Sequence, residues 1–432
     1  MILDVYKDII EEINLNKDYF HTNSTYFRVL SDQLADVLDE EIYSKMSTPQ
    51  GRADKQSMSW NANYNKKIVQ KLSQIYTFED SIERNPTSDQ ELVDYYMKAL
   101  NPNTQLQRGT EYFNNSKSTL MHITHSKRDM MPRWNPIPND RYWLYTTDPV
   151  DQTSPEYVVL IIKTIKYKDR NRWRTEDLLF IYSDTEFLAV DTGGKIHDQY
   201  MPKGNDGQGL GWVNTMGFLP FVHVNKDHWS LMPCADKDTL SSLLQVNSAL
   251  TDALVANYYQ AFPIITATGV DENATFDRNP NSINILNAPQ GSNVTPEIKV
   301  IPSSLDVMKT INMAGELLGM LMDTKGLKVN SQNAKSNISG FQELINNADT
   351  TEVKKLQIQL WKPAEEELWQ KTAQYHNYLV TKMGASLPAN FPKTTFSNDF
   401  KMEVEFGNVD TNVEQQQNLE EGKDNGPAKE ED

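Results

Sequence analysis

The stretch DKDTLSSLLQVNSALTDALVANYYQAFP, Asp236 to Pro263, decides how the rest of the chain is read. Leu240, Leu243, Leu244, Leu250, Leu254 and Ala261 recur mostly at three- and four-residue spacing, which predicts one long helix. Its first turn is acidic (Asp236, Asp238), as suits the positive end of a helix dipole. Phe262-Pro263 ends it. About forty residues later the same spacing returns in LDVMKTINMAGELLGMLM, Leu305 to Met322, with Ser303 or Ser304 placed to cap a second helix. The segment between holds five prolines (Pro263, Pro280, Pro289, Pro296, Pro302) and strand candidates at 264–268, 282–286 and 297–301. After the second helix, Thr324 to Asn337 is polar and holds Lys325, Lys328 and Lys335. The stretch from Asp236 to Gly340 therefore predicts a hairpin of long helices with a small head at its tip. Gly315 and Gly319 lie one turn apart on the second helix, where each costs up to about 1 kcal/mol. Close packing against a neighbour would explain them.

Outward from the hairpin, the pattern changes twice. Residues 1 to about 132 have helical spacing. Ile2, Tyr6, Ile9, Ile10 and Ile13 line a first helix, and Tyr26 through Ile42 a second. Further helices are expected at Tyr64 to Arg84 and Asp89 to Leu100. Ser88 and Glu91 are placed as a capping box for the latter. Met121 to Arg133 shows no clear period, and the run Met130 to Trp134 reads as a buried connector. From Arg141 to about Asn225 the period becomes two: Tyr142–Tyr145, Tyr157–Tyr167, Leu178–Tyr182 and Phe187–Val190 are strand-like, with turns at Lys168–Asn171 and Asp191–Gly194. Strands that follow one another without helices make an antiparallel sheet. Pro202 to Gly211 reads as a loop, and Phe218 to Val224, with Pro220, as an edge strand. Beyond the hairpin, Phe341 to Lys382 predicts a long helix kinked at Pro363. Phe400 to Phe406 is an amphipathic strand. From Thr411, seven acids, two lysines and no aromatic residue predict a disordered tail. The fold class is α+β.

Composition excludes several functions. The 432 residues carry a net charge of −17, against the clustered cations that a nucleic-acid coat requires. An acidic wall suits a surface past which DNA must slide without sticking. One cysteine, Cys234, rules out a disulfide framework or a cysteine-rich zinc module. No apolar run reaches eighteen residues, so no transmembrane span is expected, and the first fifteen residues predict an amphipathic helix rather than a signal peptide. Catalytic signatures are missing: neither GxxxxGK[ST] nor GxSxG occurs, and His122 and His125 form HxxH without the glutamate of a zinc protease. Glu365-Glu366-Glu367 and Asp39-Glu40-Glu41 read as solvated helix faces.

The order of elements resembles the portal proteins of tailed bacteriophages. The carriers are the Pro-containing strand in Leu210 to Val222, the helix from Asp236 to Phe262, the insert 263–302, the helix 303–322, the loop 323–337 and the long helix 338–383. In the terms of that family these are the end of a wing (1–235), stem helix, clip, second stem helix, tunnel loop and kinked wing helix. Residues 384–432 would be a short crown with its acidic tail. The resemblance implies a ring, usually of twelve subunits, at one capsid vertex of a virion, assembled in the host cytoplasm. Double-stranded DNA passes through its channel during packaging and ejection. The resemblance further implies partners in the terminase large subunit, neck or adaptor proteins, and major capsid and scaffold proteins. It implies no catalysis, no cofactor, no metal and no membrane. Carried onto this chain, Lys325, Lys328, Lys335, Asn330, Gln332 and Asn333 would face the DNA channel. Asp271, Glu272, Asp277 and Arg278 would form the clip's docking surface, and Leu244, Leu250, Leu254, Ile311, Gly315 and Gly319 would pack the stem. Ordinary solvation of the loop lysines is the alternative. Two other roles stay open: another phage structural protein, either a minor capsid or a connector subunit, and a hydrolase using Asp191, His197 and Asp206.

Overall fold

A computed structural model describes residues 2–46, 48–77, 82–126, 130, 132–148, 150, 154–169, 172–200, 213–227, 229–261, 264–268, 297–301, 307–327 and 350–407. The fold is α+β with antiparallel sheets. Five helices open the chain: α1 (Ile2–Leu15), α2 (Lys17–Leu30), α3 (Leu34–Glu41), α4 (Pro49–Ser57) and α5 (Tyr64–Leu72). The helix expected from Tyr26 to Ile42 is two helices. Asp32 adopts a left-handed conformation (φ 65°) between α2 and α3, a bend that aspartate tolerates better than most residues.

Strand β1 (Ile82–Pro86) occupies the end of the expected Tyr64–Arg84 helix. It pairs antiparallel with a strand at the far end of the described chain, Met402–Phe406, labelled β11 below in chain order. The alternation expected at 400–406 is seen as alternating burial in that strand. Helix α6 (Gln90–Leu100) follows, and α7 (Pro102–Ser116) starts at a proline, where the missing N–H costs nothing. Ser88 does not cap α6. The flanking residue is Asp89, left-handed at φ 59°, whose carboxylate accepts from the Ser88 hydroxyl at 2.7 Å and from the Ser397 N–H at 2.9 Å.

The stretch without a clear period from Met121 starts inside a strand, and the connector expected at Met130–Trp134 runs into another. β2 (Ser118–His125) lies between β3 (Pro132–Ile137) and β8 (Phe221–Asn225). β2 is buried on both faces over most of its length, so alternation could not mark it. β8 is an edge strand, as its proline neighbour predicts. A second sheet holds β4 (Tyr142–Tyr145), β5 (Tyr157–Asp169), β6 (Arg172–Tyr182) and β7 (Phe187–Asp191) in that order, all antiparallel. Its apolar face carries α1 through Ile2, Ile9, Ile10 and Ile13.

After β8 come α8 (Lys237–Ala261), the paired strands β9 (Ile264–Thr268) and β10 (Glu297–Ile301), α9 (Val307–Thr324), the 33-residue α10 (Thr351–Met383), and β11. Helix α10 runs through Pro363 without a break, leaving the Gln359 carbonyl without its helical donor. It is the spine of the main core. Trp361 and Trp369 are fully buried. Trp369 meets Trp134 of β3 edge to face at 5.2 Å, and the Trp134 Nε1–H donates to Thr372 Oγ1 at 2.9 Å. Gly109 of α7 lies against this core. A Cβ there would stand 2.9 Å from both Met121 Sδ and Trp361 Cη2, so only glycine fits.

Glu365 overturns one expectation. It is not solvated but fully buried, paired with the Arg84 guanidinium, which also donates to Asn103 Oδ1 at 2.6 Å. The ion pair ties α10 to β1 across most of the chain.

Candidate functional site at the helical hairpin

The hairpin's lower half is embedded. Leu240, Leu243, Leu244, Val246 and Leu250 of α8 and Ala314, Leu318, Leu321 and Met322 of α9 share one core with Tyr26, Val29, Leu34, Val37, Leu38 and Tyr43. Two polar side chains of α8 bond back to its own carbonyls, although the Asn247 Oδ1 is buried without a partner. Asn247 Nδ2 donates to the Leu243 carbonyl at 3.2 Å, and Thr251 Oγ1 to the Asn247 carbonyl at 2.9 Å. Thr251 Oγ1 also accepts from the Tyr43 hydroxyl (3.1 Å) and the Trp60 N–H (2.9 Å). This knot fastens α8 to the N-terminal helices.

Of the expected packing residues, Leu244 and Leu250 are buried and Ile311 is partly buried against the same core. Leu254 is not: it is 37% exposed. Gly315 is half-buried. A Cβ on Gly319 would meet nothing within 4 Å, so no close approach inside the chain demands a glycine there. Apolar side chains face outward along the hairpin: Tyr258 (50%) near the end of α8, Met308 (53%) near the start of α9, Met313 (48%) in its middle, and Met320 (64%) at the height of the buried Leu318 and Leu321. The four proposed docking residues, Asp271, Glu272, Asp277 and Arg278, lie outside the described residues, as does the strand expected at 282–286.

Helix α9 ends in a Schellman cap. The Leu327 N–H bonds the Met322 carbonyl at 3.0 Å, the Gly326 N–H bonds the Asp323 carbonyl at 2.9 Å, and Gly326 takes φ +77°. Leu327 is fully buried in the hairpin core, which supplies the motif's apolar contact. This cap corrects the placement of Lys325. It does not extend from a loop but is held half-buried against α2, its ammonium 5.9 Å from the centre of the Tyr26 ring. Burial, reinforced by Lys226 and Lys117, lowers its pKa to about 8 despite the opposing pull of Asp236. Lys328, Asn330, Gln332, Asn333 and Lys335 lie outside the described residues. The structure thus joins Lys325 to Tyr26, which sequence spacing did not connect. The readable clue was Gly326, a left-handed residue placed to turn Lys325 inward.

Groups that suggested chemistry have structural roles. Asp191 Oδ1 accepts the N–H groups of Gly193 and Lys195, and its other oxygen lies 2.9 Å from His197 Nε2, which makes the pair a clamp on the turn after β7. Asp206, the third hydrolase candidate, lies outside the described residues. His122 stacks on Phe221 at 4.5 Å and burial drops its pKa to about 4; His125 pairs with the Tyr375 hydroxyl. Burial pushes the Cys234 thiol up, away from a reactive thiolate. Among the described residues no group of three or more potential ligands could hold a metal, and no helix is long and apolar enough to cross a membrane.

No protein-family model matches the chain, and no curated protein matches it. Two solved structures are similar over most of their length. A chain from the virion of a native gene transfer agent (GTA) particle is 11% identical, with 85% of this chain and 87% of that one covered, at a TM-score of 0.31. A chain from the neck of an empty GTA particle is 10% identical, with 88% and 92% covered, at a TM-score of 0.32. Scores of this size carry no weight for the role of the chain.

Proposed function

We propose that this chain is a portal-type subunit of a phage-like virion. Copies close into a ring, by expectation of twelve, through heterologous interfaces related by rotation. DNA passes through the centre, and the tip between β9 and β10 docks the packaging motor and later a neck or adaptor protein. The ring does no chemistry of its own.

One observation carries this reading. A helix of 25 residues, about 37 Å long at about 1.5 Å per residue, leaves the body, turns through an antiparallel strand pair and returns as α9 to a tight cap. Such a hairpin buries one side in the core and leaves Tyr258, Met308, Met313 and Met320 exposed on others. That makes sense when neighbouring copies cover the flanks. The net charge of −17 fits a conduit that must not grip phosphates. Electron microscopy of the purified full chain tests the proposal. A closed ring with a central hole is expected, and a monomer at every concentration and salt would overturn it.

A further inference from the structure

We propose that the cavity at the C-terminal end of α1, walled by β4 and by the loop between β8 and α8, is a docking site for a partner protein, which enters it with an apolar side chain flanked by lysine or arginine. The proposal goes beyond the ring reading and does not need it, since one copy of the chain supplies the whole surface. The cavity has a volume of about 380 Å³, and its apolar walls are Trp143, Leu144, Tyr145, Leu231 and Met232. Trp143 is a fixed wall: its ring meets Tyr19 edge to face at 5.3 Å and Phe20 at 5.5 Å.

The rim sets this cavity apart. The three most exposed large apolar side chains among the described residues are Trp229 (93%), Val150 (90%) and Leu15 (77%). Each stands beside a residue that lines the cavity. Leu15 precedes Asn16, Trp229 precedes Ser230, and Val150 ends the turn that Thr146 begins. A single exposed apolar residue needs no explanation, but three around one cavity mark an interaction surface. Two of them are held out by braced turns. Asp227 Oδ1 accepts the Trp229 N–H at 2.9 Å, and Asn225 Nδ2 donates to the Ser230 carbonyl at 2.6 Å. Asp148 Oδ1 accepts the Val150 N–H at 2.8 Å, and Thr146 Oγ1 accepts the Asp148 N–H at 3.2 Å.

Charge selects the partner. Glu12 lines the cavity, and no lysine or arginine does. Asp148 and Asp227 belong to the two braced turns, and the Glu156 carboxylate accepts the Thr147 N–H at 3.3 Å and its hydroxyl at 2.5 Å. Lys17 and Lys226 adjoin the same segments, so four acids stand against two bases. A basic segment complements that rim. A second copy of a chain with net charge −17 is a poorer match. Tryptophan is also the residue type that most often anchors a protein contact, and its ring accepts a cation over its face.

Fluorescence anisotropy of three labelled peptides, titrated with the full chain, tests the site. The peptides are KLKFKLK, its acidic counterpart ELEFELE, and KSKSKSK, which keeps the charge and removes the apolar side chains. KLKFKLK should bind at least about tenfold more tightly than either of the others. Trp229→Ala should weaken it by about tenfold, and Glu12→Gln by about threefold. Leu356→Ala, an exposed apolar site elsewhere, should leave it unchanged. Trp229 is almost wholly exposed, so its loss leaves the fold intact. Equal binding of KLKFKLK and KSKSKSK would reduce the effect to net charge and overturn the proposal, as would wild-type binding by Trp229→Ala or no binding of KLKFKLK. Sedimentation velocity without peptide covers the remaining occupant: if Trp229→Ala abolishes self-association of the chain, the surface belongs to a second copy and the proposal falls. Rings that form equally with and without Trp229 leave the ring reading standing whatever the peptides do.

Discussion

The body and the hairpin are built on opposite principles. The body closes on itself: β1 pairs with β11, α10 passes through its centre, and Trp134, Trp361 and Trp369 are completely buried. It even buries a charge pair, Arg84 with Glu365. The hairpin buries one side of its helices in a core shared with the N-terminal helices and presents Leu254, Tyr258, Met308, Met313 and Met320 to solvent on others. The body also exposes large apolar side chains, among them Trp229 (93%), Val150 (90%) and Leu356 (61%), but on the hairpin they recur along one pair of helices. A region that leaves several long apolar side chains open asks for something outside the chain. Stability should therefore respond to changes in the body, and assembly to changes in the hairpin.

The largest expected effect is in the body. Glu365→Ala strands the Arg84 guanidinium, whose side chain is 5% exposed, and should cost about 3–5 kcal/mol. Trp369→Ala should cost a similar amount, about 3–5 kcal/mol. Urea denaturation measures both, and a loss under 1 kcal/mol, an order-of-magnitude bound for a peripheral site, would show that α10 is not the spine described here.

Acid should also strike the body first. Burial lowers the pKa of His122 to about 4 and of His223 to about 3, and lowers that of His376. Their usual value near 6.5 applies to the unfolded chain. Between these values the unfolded state takes up protons that the folded state refuses. The stabilisation from neutral histidines is thus full above about pH 6.5 and falls as pH drops toward 4. Denaturation midpoints at pH 7 and pH 5 check this, and His223→Phe should flatten the slope.

At the junction of the two regions, Gly326→Ala forces a side chain into φ +77° with Val353 Cγ2 at 3.0 Å. A cost of about 1–2 kcal/mol is expected, with the hairpin's amides losing hydrogen-exchange protection before those of the body. Uniform loss across both would mean that they unfold together. The smallest change in stability is expected at the flanks. Met313→Ser with Met320→Ser should shift unfolding by no more than about 0.5 kcal/mol, yet raise the monomer fraction in sedimentation velocity. An unchanged distribution would remove the flanks from any interface.

α8 stands close to where spacing placed it, because one wet face writes a period into the sequence. β4 and β7 are buried at nearly every position and were readable from their aromatic and β-branched residues instead. β2, also buried over most of its length, has neither clean alternation nor an aromatic residue to mark it. Glu365 misled because a triple glutamate looks solvated until Arg84, 281 positions away, arrives beside it. Lys325 was read with its neighbours in sequence, Lys328 and Lys335, whereas its ammonium lies over the ring of Tyr26, almost three hundred positions earlier. Local pattern reports faces and turns, and does not report which distant groups a long core brings together.

The central claim is that the hairpin's open flanks belong to a ring. Cryo-electron microscopy of the purified chain, with rotational symmetry determined from end-on views, addresses it most directly. A closed ring is predicted, with α8 and α9 around a central channel and Met313 and Met320 covered by a neighbour. Particles that remain monomeric, or rings whose contacts leave both methionines exposed, would contradict it.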